Sequence, residues 1–154
     1  MATQAQAPVP SSAVALPPPA APPGSMGLPF VIPVDITLTP GQKGATAEFT
    51  IDNDSDFDLW QLTASSILAN GAAGLFAVSI YDTLKNKPLT KGNALVNGEN
   101  WFGTGAQPFT YPAPWRFYRQ SQVLLTFNER SNVGGVNNVV EVCFHGYKVN
   151  ITQP

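Results

Sequence analysis

From Val34 onward, hydrophobic and polar residues alternate in short stretches, and turn residues interrupt the alternation every eight to twelve positions. Residues 34–39 alternate strictly, and residues 45–52 do so again with Ala47, Phe49 and Ile51 on one face. A period of two is typical of half-buried strands, and no convincing 3.6-residue repeat of an amphipathic helix interrupts it. The pattern therefore predicts seven to eight antiparallel strands over about 115 residues.

The longest connection between predicted strands runs from Trp101 to Pro114 and is rich in glycine and proline. A connection of that length suits a Greek-key crossing better than a simple meander, and the segment 132–138 predicts a hairpin. We therefore predict an all-β fold, an antiparallel sandwich with a jelly-roll-like topology. The predicted strands are 34–39, 45–52, 57–64, 75–81, 89–96, 115–118, 122–128 and 139–149.

One face of each predicted strand carries the larger apolar side chains, which we expect between the two sheets. A domain of this length buries enough apolar surface to fold by itself, with modest stability. The predicted core residues are Phe49, Ile51, Leu59, Phe76, Val78, Ile80, Leu124, Val140, Val142 and Phe144.

The first 34 residues differ in kind, because they contain no Asp, Glu, Lys, Arg or His, and nine of the fifteen prolines lie between Pro8 and Pro33. Proline removes the amide donor and restrains the preceding residue to extended angles. The segment Leu16–Pro23 is therefore predicted as extended polyproline II. We predict an extended arm at residues 1–33, a sandwich domain at 34–150 and a short tail at 151–154.

The arm lacks the basic start and the unbroken apolar stretch of a secretory signal peptide. Two interpretations stay open at this point: a disordered linker, which is common for Pro/Ala/Ser sequences, or a segment that lies along a neighbouring subunit. For the second, the predicted arm contacts are Pro17, Pro18, Pro19, Leu28 and Phe30.

The amino-acid composition argues against several classes of function. Only 12% of residues are charged and the net charge is −2, against the ~25% charged residues typical of globular chains. That balance disfavours binding to a nucleic-acid backbone, and the apolar runs are too short for a membrane span, so neither partner is predicted. One cysteine and one histidine exclude an intrachain disulfide and Cys- or His-rich metal sites. Because weak surface charge also weakens repulsion between copies, we expect the chain to work in an assembly.

Four aspartates at alternate positions begin a pattern that resembles a calcium loop. An EF-hand then needs Gly at the sixth place and Glu at the twelfth, where this chain has Phe57 and Thr63. A different kind of calcium site and a solvated turn both stay open. The candidate ligands are Asp52, Asp54 and Asp56, followed by Asp58.

A catalytic interpretation finds little support in the sequence. Cys143 and His145 share one face of the last predicted strand, but such positions lie ~6.6–7 Å apart, too far for a nucleophile and its base. A buried structural cysteine in the core is therefore predicted. No nucleophile-elbow, P-loop or dinucleotide motif is present, so neither enzymatic activity nor a cofactor is predicted.

Aromatic residues concentrate between positions 101 and 118, where seven of the sixteen occur. Because Trp, Tyr and Arg dominate protein interfaces, we expect contact residues here. We expect Trp115 and Phe117 to point inward, and Trp101 and Phe102 to be exposed. Stacking on sugars and simple cover for the core are the alternatives. The predicted contacts are Trp101, Phe102, Phe109, Tyr111, Arg116, Tyr118 and Arg119.

The arm, the sandwich and the run Val142–Lys148 together resemble small jelly-roll or β-sandwich virion proteins of tailed bacteriophages, of the decoration (cement) or minor capsid type. The resemblance implies a homo-oligomer, often a trimer, located in the virion. It also implies that the arm threads along neighbouring subunits, such as the major capsid protein, and stabilises the shell through buried area and backbone hydrogen bonds at sheet edges. Two alternatives are a neck, collar or tail component and a carbohydrate-binding module that uses Trp101, Phe102 and Tyr111.

Overall fold

The alternating stretches of the sequence fold as strands. The computed structural model describes residues 27–150, with Asn150 described by its backbone alone. Helical structure in that range is limited to a 3₁₀ turn at Lys91–Asn93 and a helix, α1, at Gly98–Trp101, and no helix there is long and apolar enough to cross a membrane. The strands are β1 (Gly27–Leu38), β2 (Ala45–Thr50), β3 (Ser55–Leu68), β4 (Phe76–Asp82), β5 (Lys87–Pro88), β6 (Val96–Asn97), β7 (Phe109–Phe117), β8 (Gln122–Glu129) and β9 (Asn138–Asn150).

Two antiparallel sheets form a sandwich. The first sheet has the strand order β1-β9-β3-β7, and the second has the order β2-β8-β4-β5, with β6 also paired to β4. From β1 to β4, and again from β6 to β9, successive strands alternate between the two sheets, which is the winding of a jelly roll. The predicted fold class is confirmed. The described residues form nine strands because the predicted strand 89–96 is replaced by two short ones on either side of the 3₁₀ turn.

β1 begins earlier than the sequence pattern indicates. The predicted boundary between arm and domain at residues 33 and 34 lies inside this strand, which pairs with β9 from Gly27 to Leu38. Pro29 and Pro33 fit there because β1 is an edge strand, where a missing amide donor faces away from the sheet. Residues 1–26 of the predicted arm and the predicted tail 151–154 lie outside the described residues.

β7 is also longer than predicted, since it starts at Phe109 rather than at Trp115. It pairs with β3 at its two ends, through 109–110 and 115–117, and Pro112 and Pro114 lie between these paired parts. Like β1, it is the edge of the first sheet. An edge position accommodates prolines that a central strand excludes, which is why the segment reads as irregular in the sequence.

A β-bulge lies in the middle of β3. The register with both neighbouring strands shifts between Leu59 and Gln61, so Trp60 is the extra residue. The bulge explains an irregular spacing, because Leu59 and Leu62 are three apart and yet both fully buried. Gly146 of β9 lies opposite Leu59 at this point.

The core lies between the sheets, and most of the predicted core residues are in it. Phe49 is partly buried and packs edge-on against Phe144, with ring centroids 4.9 Å apart. The prediction for Leu124 is wrong: β8 buries Val123, Leu125 and Phe127 instead, so Leu124 lies on the opposite, partly exposed face. The other predicted members, Ile51, Leu59, Phe76, Val78, Ile80, Val140, Val142 and Phe144, are buried.

A buried carboxylate ties two turns together at one end of the sandwich. Glu129 accepts hydrogen bonds from the backbone N–H groups of Gly41 (3.0 Å), Ser131 (2.6 Å) and Asn132 (3.2 Å). Burial raises the pKa of Glu129, but the hydrogen bonds to the ionised carboxylate outweigh it, and the net pKa lies below the usual 4.5. The ionised form therefore stabilises the fold.

This arrangement predicts a pH-dependent loss of stability in the variant Glu129→Gln. Because the folded-state pKa is lower than that of the unfolded chain, the contribution is complete above about pH 4.5 and disappears as pH falls through the folded-state pKa. We expect the variant to be less stable by about 1 kcal/mol at pH 7, with a difference that shrinks toward pH 3. Urea unfolding across this range measures it. Glu99→Gln, at an exposed position, is the control, and a difference that does not change with pH would contradict the prediction.

Candidate interaction surfaces

The start of β1 exposes several large apolar side chains. Leu28 is 65% exposed and Val31 is 46% exposed. Phe30 is less exposed, because its ring packs edge-on against Phe57 and Lys148 Nζ lies 4.2 Å from its centroid. Leu28 and Phe30 are thus accessible for the contacts predicted of them, which stay predictions. Pro17, Pro18 and Pro19 lie outside the described residues.

Both edges of the first sheet carry prolines, Pro29 and Pro33 in β1 and Pro112 and Pro114 in β7. An edge strand with proline cannot offer an unbroken row of amide donors to an added strand. A partner that approaches either edge therefore meets side chains more than backbone groups. This limits the edge-strand hydrogen bonding that the virion-protein resemblance implies.

A groove of about 710 Å³ lies on the outer face of the first sheet; we call it the outer groove. Its lining comes from four adjacent strands and one connection: Pro29–Val31 on β1, His145–Tyr147 on β9, Trp60, Gln61 and Thr63 on β3, Thr110 on β7, and Gly105–Pro108 in the connection before β7. Cross-strand register brings them together, since Val31 faces His145, which in turn faces Gln61. The groove therefore runs across the strands.

The outer groove is uncharged. None of its lining residues is Asp, Glu, Lys or Arg, and burial lowers the pKa of His145, so the imidazole is neutral at pH 7. His145 Nε2 lies 2.9 Å from Thr63 Oγ1, and Gln61 Nε2 donates to Thr110 Oγ1 at 3.3 Å. The Trp60 indole N–H is buried and has no hydrogen-bond partner within residues 27–150. Rings and aliphatic groups thus dominate the surface that a ligand would meet.

Sequence reasoning missed the outer groove, because its residues are far apart along the chain and only the register joins them. The irregular spacing of Leu59 and Leu62 was an available signal, since it indicates a bulge, and the bulge brings Trp60 and Gln61 together into the groove. Bulges often change the direction of side chains next to binding surfaces.

Cys143 is not an activated nucleophile. Its thiol donates to Glu141 Oε1 at 3.3 Å. Burial, together with this carboxylate, raises its pKa to about 11, so the thiol is protonated at neutral pH. His145 interacts with Thr63 rather than with the cysteine. The expectation of a buried core cysteine is wrong, because Cys143 is only partly buried and alternates along β9 with the core residues Val142 and Phe144.

Trp101 and Phe102 are buried, which corrects the expectation that they are exposed contact residues. Each is 8% exposed and packs in the core. The helix α1 turns the chain inward here: the Trp101 N–H donates to the Tyr111 hydroxyl at 3.2 Å, and the Phe102 ring lies 6.1 Å from that of Phe76. Burial raises the pKa of Tyr111, although the hydrogen bond from Trp101 opposes this. The buried rings also weaken the carbohydrate-binding alternative, which relied on their exposure.

The rest of the aromatic stretch is divided between core and surface. Phe117 is fully buried and Trp115 packs against the core, as expected. Phe109 and Tyr118 are exposed, and Lys85 Nζ lies 4.7 Å from the centroid of the Tyr118 ring. Phe109 and Tyr118 are therefore the members of this stretch that a partner could contact directly.

The two arginines contact the aspartate cluster. Arg116 donates two parallel hydrogen bonds of 2.7 Å to the buried carboxylate of Asp58, its cross-strand neighbour, and this hydrogen bonding raises the pKa of Arg116. The backbone N–H of Arg119 donates to Asp56 at 2.9 Å. Arg116 is thus engaged within the chain, and its role as a contact stays a prediction, as does that of Arg119.

The calcium site considered for Asp52, Asp54 and Asp56 stays a prediction, and it gains no support from residues 27–150, where no group of three or more His, Cys, Asp or Glu side chains could hold a metal ion. Each carboxylate instead contacts a different partner within the chain. Asp52 pairs with Lys148, and Asp54 accepts from the Ser55 hydroxyl at 3.0 Å. Turn and strand contacts account for the acidic pattern.

Comparison with known proteins adds little. No protein-family model matches the chain, and no curated protein matches it. Among solved structures, it is similar to a chain of "Cyanophage Pam1 capsid asymmetric unit", with a TM-score of 0.43 and 16% identity. The match covers 90% of this chain and 99% of that one. At this TM-score the resemblance between the two folds is weak.

Proposed function

We propose that this chain is a non-enzymatic structural protein of a bacteriophage virion, which oligomerises and binds neighbouring capsid subunits through its N-terminal arm. The observation that supports the proposal is that the uncharged residues 1–26 are followed directly in the sequence by the start of β1, where Leu28 and Val31 are exposed. A sequence without charge that joins an exposed apolar edge is suited to lie against protein. The jelly-roll fold is compatible with this role.

The energetics favour association through this region. Full burial of a Leu, Val or Phe side chain is worth about 1.5–3 kcal/mol, and β1 presents three such side chains near its start. Prolines restrict the conformations open to a chain segment, which lowers the entropy that the segment loses when it binds a partner. Because neither the arm nor the exposed residues are charged, binding should depend little on salt.

Deletion of residues 1–26 tests the proposal, since it removes the uncharged segment and leaves β1 complete. Deleting residues 1–33 instead would remove half of a strand that pairs with β9. We expect the shortened protein to keep the circular dichroism of a β-protein while it loses self-association in light scattering and cosedimentation with capsids. Cosedimentation at low and high salt checks the apolar character of the contact.

A pair of full-length variants tests the same contact without depending on the folding of the truncated protein. Leu28→Ser should weaken capsid binding, whereas Leu84→Ser, at a 58% exposed leucine in the turn after β4, should not. Normal assembly and capsid binding by the shortened protein would refute the proposal. Binding to isolated necks or tails but not to shells would instead assign the protein to the neck or tail of the virion.

A further inference from the structure

We propose that the outer groove binds the proline-rich segment Leu16–Pro23 of a second copy of this chain. The inference rests on the proposed function for the role of the arm, and it deepens that function by naming the surface on which the arm lies. It also names the first partner, which is another copy of the same protein.

The shape of the groove suits an extended proline-rich peptide. Aromatic-lined grooves recognise polyproline II because this helix is already formed and loses little entropy on binding. The outer groove presents the rings of Trp60 and Tyr147 beside Val31 and Pro108. It crosses three strands spaced about 4.8 Å apart and reaches the next connection, a span of roughly 15 Å, which is about five residues of polyproline II at ~3.1 Å each.

The absence of charge in both the groove lining and residues 1–26 also favours this peptide as the ligand. Residues 1–26 contain no ionisable side chain. The lining of the groove contains no Asp, Glu, Lys or Arg, and burial lowers the pKa of His145, so its imidazole is neutral at pH 7. The polar side chains Gln61 and Thr63 are paired with Thr110 and His145 within the groove. A phosphate-bearing or acidic ligand would find no cation there, whereas proline rings and alanine methyl groups would bury apolar surface at little cost in desolvation.

The direction of the chain favours a second copy over the same one. β1 pairs with β9 without interruption from Gly27, and Gly27 lies directly against Tyr147, where an added Cβ would be 2.8 Å from the tyrosine Cβ. At Gly27 the direction of β1 therefore points away from the outer groove of its own chain. Extended at ~3.1 Å per residue, the 26 residues span up to about 80 Å, enough to reach a neighbouring copy.

Photo-crosslinking of the full-length protein tests the contact. p-Benzoylphenylalanine is incorporated at Val31 in the groove, or at Val139 as a matched control. Val139 is also a valine on the outer face of the first sheet, with 47% exposure against 46% for Val31, but it does not line the groove. An equal mixture of ¹⁴N- and ¹⁵N-labelled copies is irradiated, and the crosslinked peptides are identified by mass spectrometry. We expect position 31, and not position 139, to capture peptides from residues 8–26 of the other isotope.

A charge placed in the groove gives a second measurement. Val31→Glu should weaken self-association in sedimentation velocity by about tenfold or more, the equivalent of 1.4 kcal/mol, while Val139→Glu should leave it unchanged. In a mixture, Val31→Glu should associate with Pro18→Asp, because the first variant keeps an intact arm and the second an intact groove. Neither variant alone should associate through this contact.

Several outcomes would overturn the inference. These are the absence of arm peptides at position 31, equal capture at positions 31 and 139, and capture only within one isotope, which would place the segment in its own groove. None of the measurements involves a capsid. A confirmed crosslink without capsid binding therefore refutes the proposed function alone, and capsid binding without the crosslink refutes this inference alone.

Discussion

Replacing Gly146 by alanine should lower the free energy of unfolding by about 3 kcal/mol, close to the upper end of the usual cost of overpacking. An added Cβ at this position would lie 2.1 Å from the carbonyl oxygen of Asp58 and 2.7 Å from Cζ of Phe57. The first of these is a backbone atom of β3, an inner strand of the first sheet, so it cannot move aside as a flexible side chain would. Denaturant unfolding of the full-length protein measures the effect.

The bulge explains why Gly146 lies so close to the backbone of Asp58. β3 inserts Trp60 at the bulge, and Gly146 lies opposite Leu59, the residue directly before it. A bulge disturbs the regular spacing of the ladder at this point. Gly134→Ala is the control, because an added Cβ there meets nothing within 4 Å. Its stability should be unchanged or slightly higher, since alanine restricts the unfolded chain more than glycine does. Equal stability of the two variants would show that the strands separate easily at the bulge.

Replacing Arg116 by alanine should cost about 2 kcal/mol. Removing one partner of a buried ion pair costs about 3–5 kcal/mol; the lower figure applies because the Arg116 side chain is 45% exposed and water can partly replace it. The loss arises because the Asp58 carboxylate, 5% exposed, would be left without the two hydrogen bonds of the guanidinium. Thermal and urea unfolding at neutral pH measure it.

Arg119→Ala is the matched control for Arg116→Ala. It removes the same charge three residues later, but the contact of Arg119 with Asp56 is made by the backbone N–H, which alanine retains. Its effect should stay within about 0.5 kcal/mol. Arg116→Lys should recover only part of the loss, because lysine keeps the charge but not the planar fork. Similar losses in the two alanine variants would mean that net charge matters and the pairing does not.

The sequence predicted the fold well where one strand face is apolar and the other is polar. Residues 34–38, 45–50 and 122–128 follow that pattern and are strands, and the predicted strands 34–39 and 45–52 extend only one and two residues too far. It was less successful at the sheet edges, because proline indicates irregular structure in a sequence, whereas the unpaired side of an edge strand tolerates it. β1 therefore starts seven residues before the predicted boundary, and β7 extends across Pro112 and Pro114.

The interaction surface was harder to predict than the fold. The burial of Trp101 depends on a single turn of helix and on a hydroxyl ten residues later, and neither has a periodic signature. The pair formed by Asp58 and Arg116 joins positions that are 58 residues apart. Contacts of this kind follow from the register between strands, which a pattern along one strand does not specify.

The prolines at the edges of the first sheet also bear on what happens when many copies are crowded together. Stacking of strands into fibrils has no natural end, because each added strand exposes a new edge like the last. On this sheet the growing edge is blocked on both sides. At these two edges, contacts between copies are left to side-chain surfaces, which are finite and become saturated once filled.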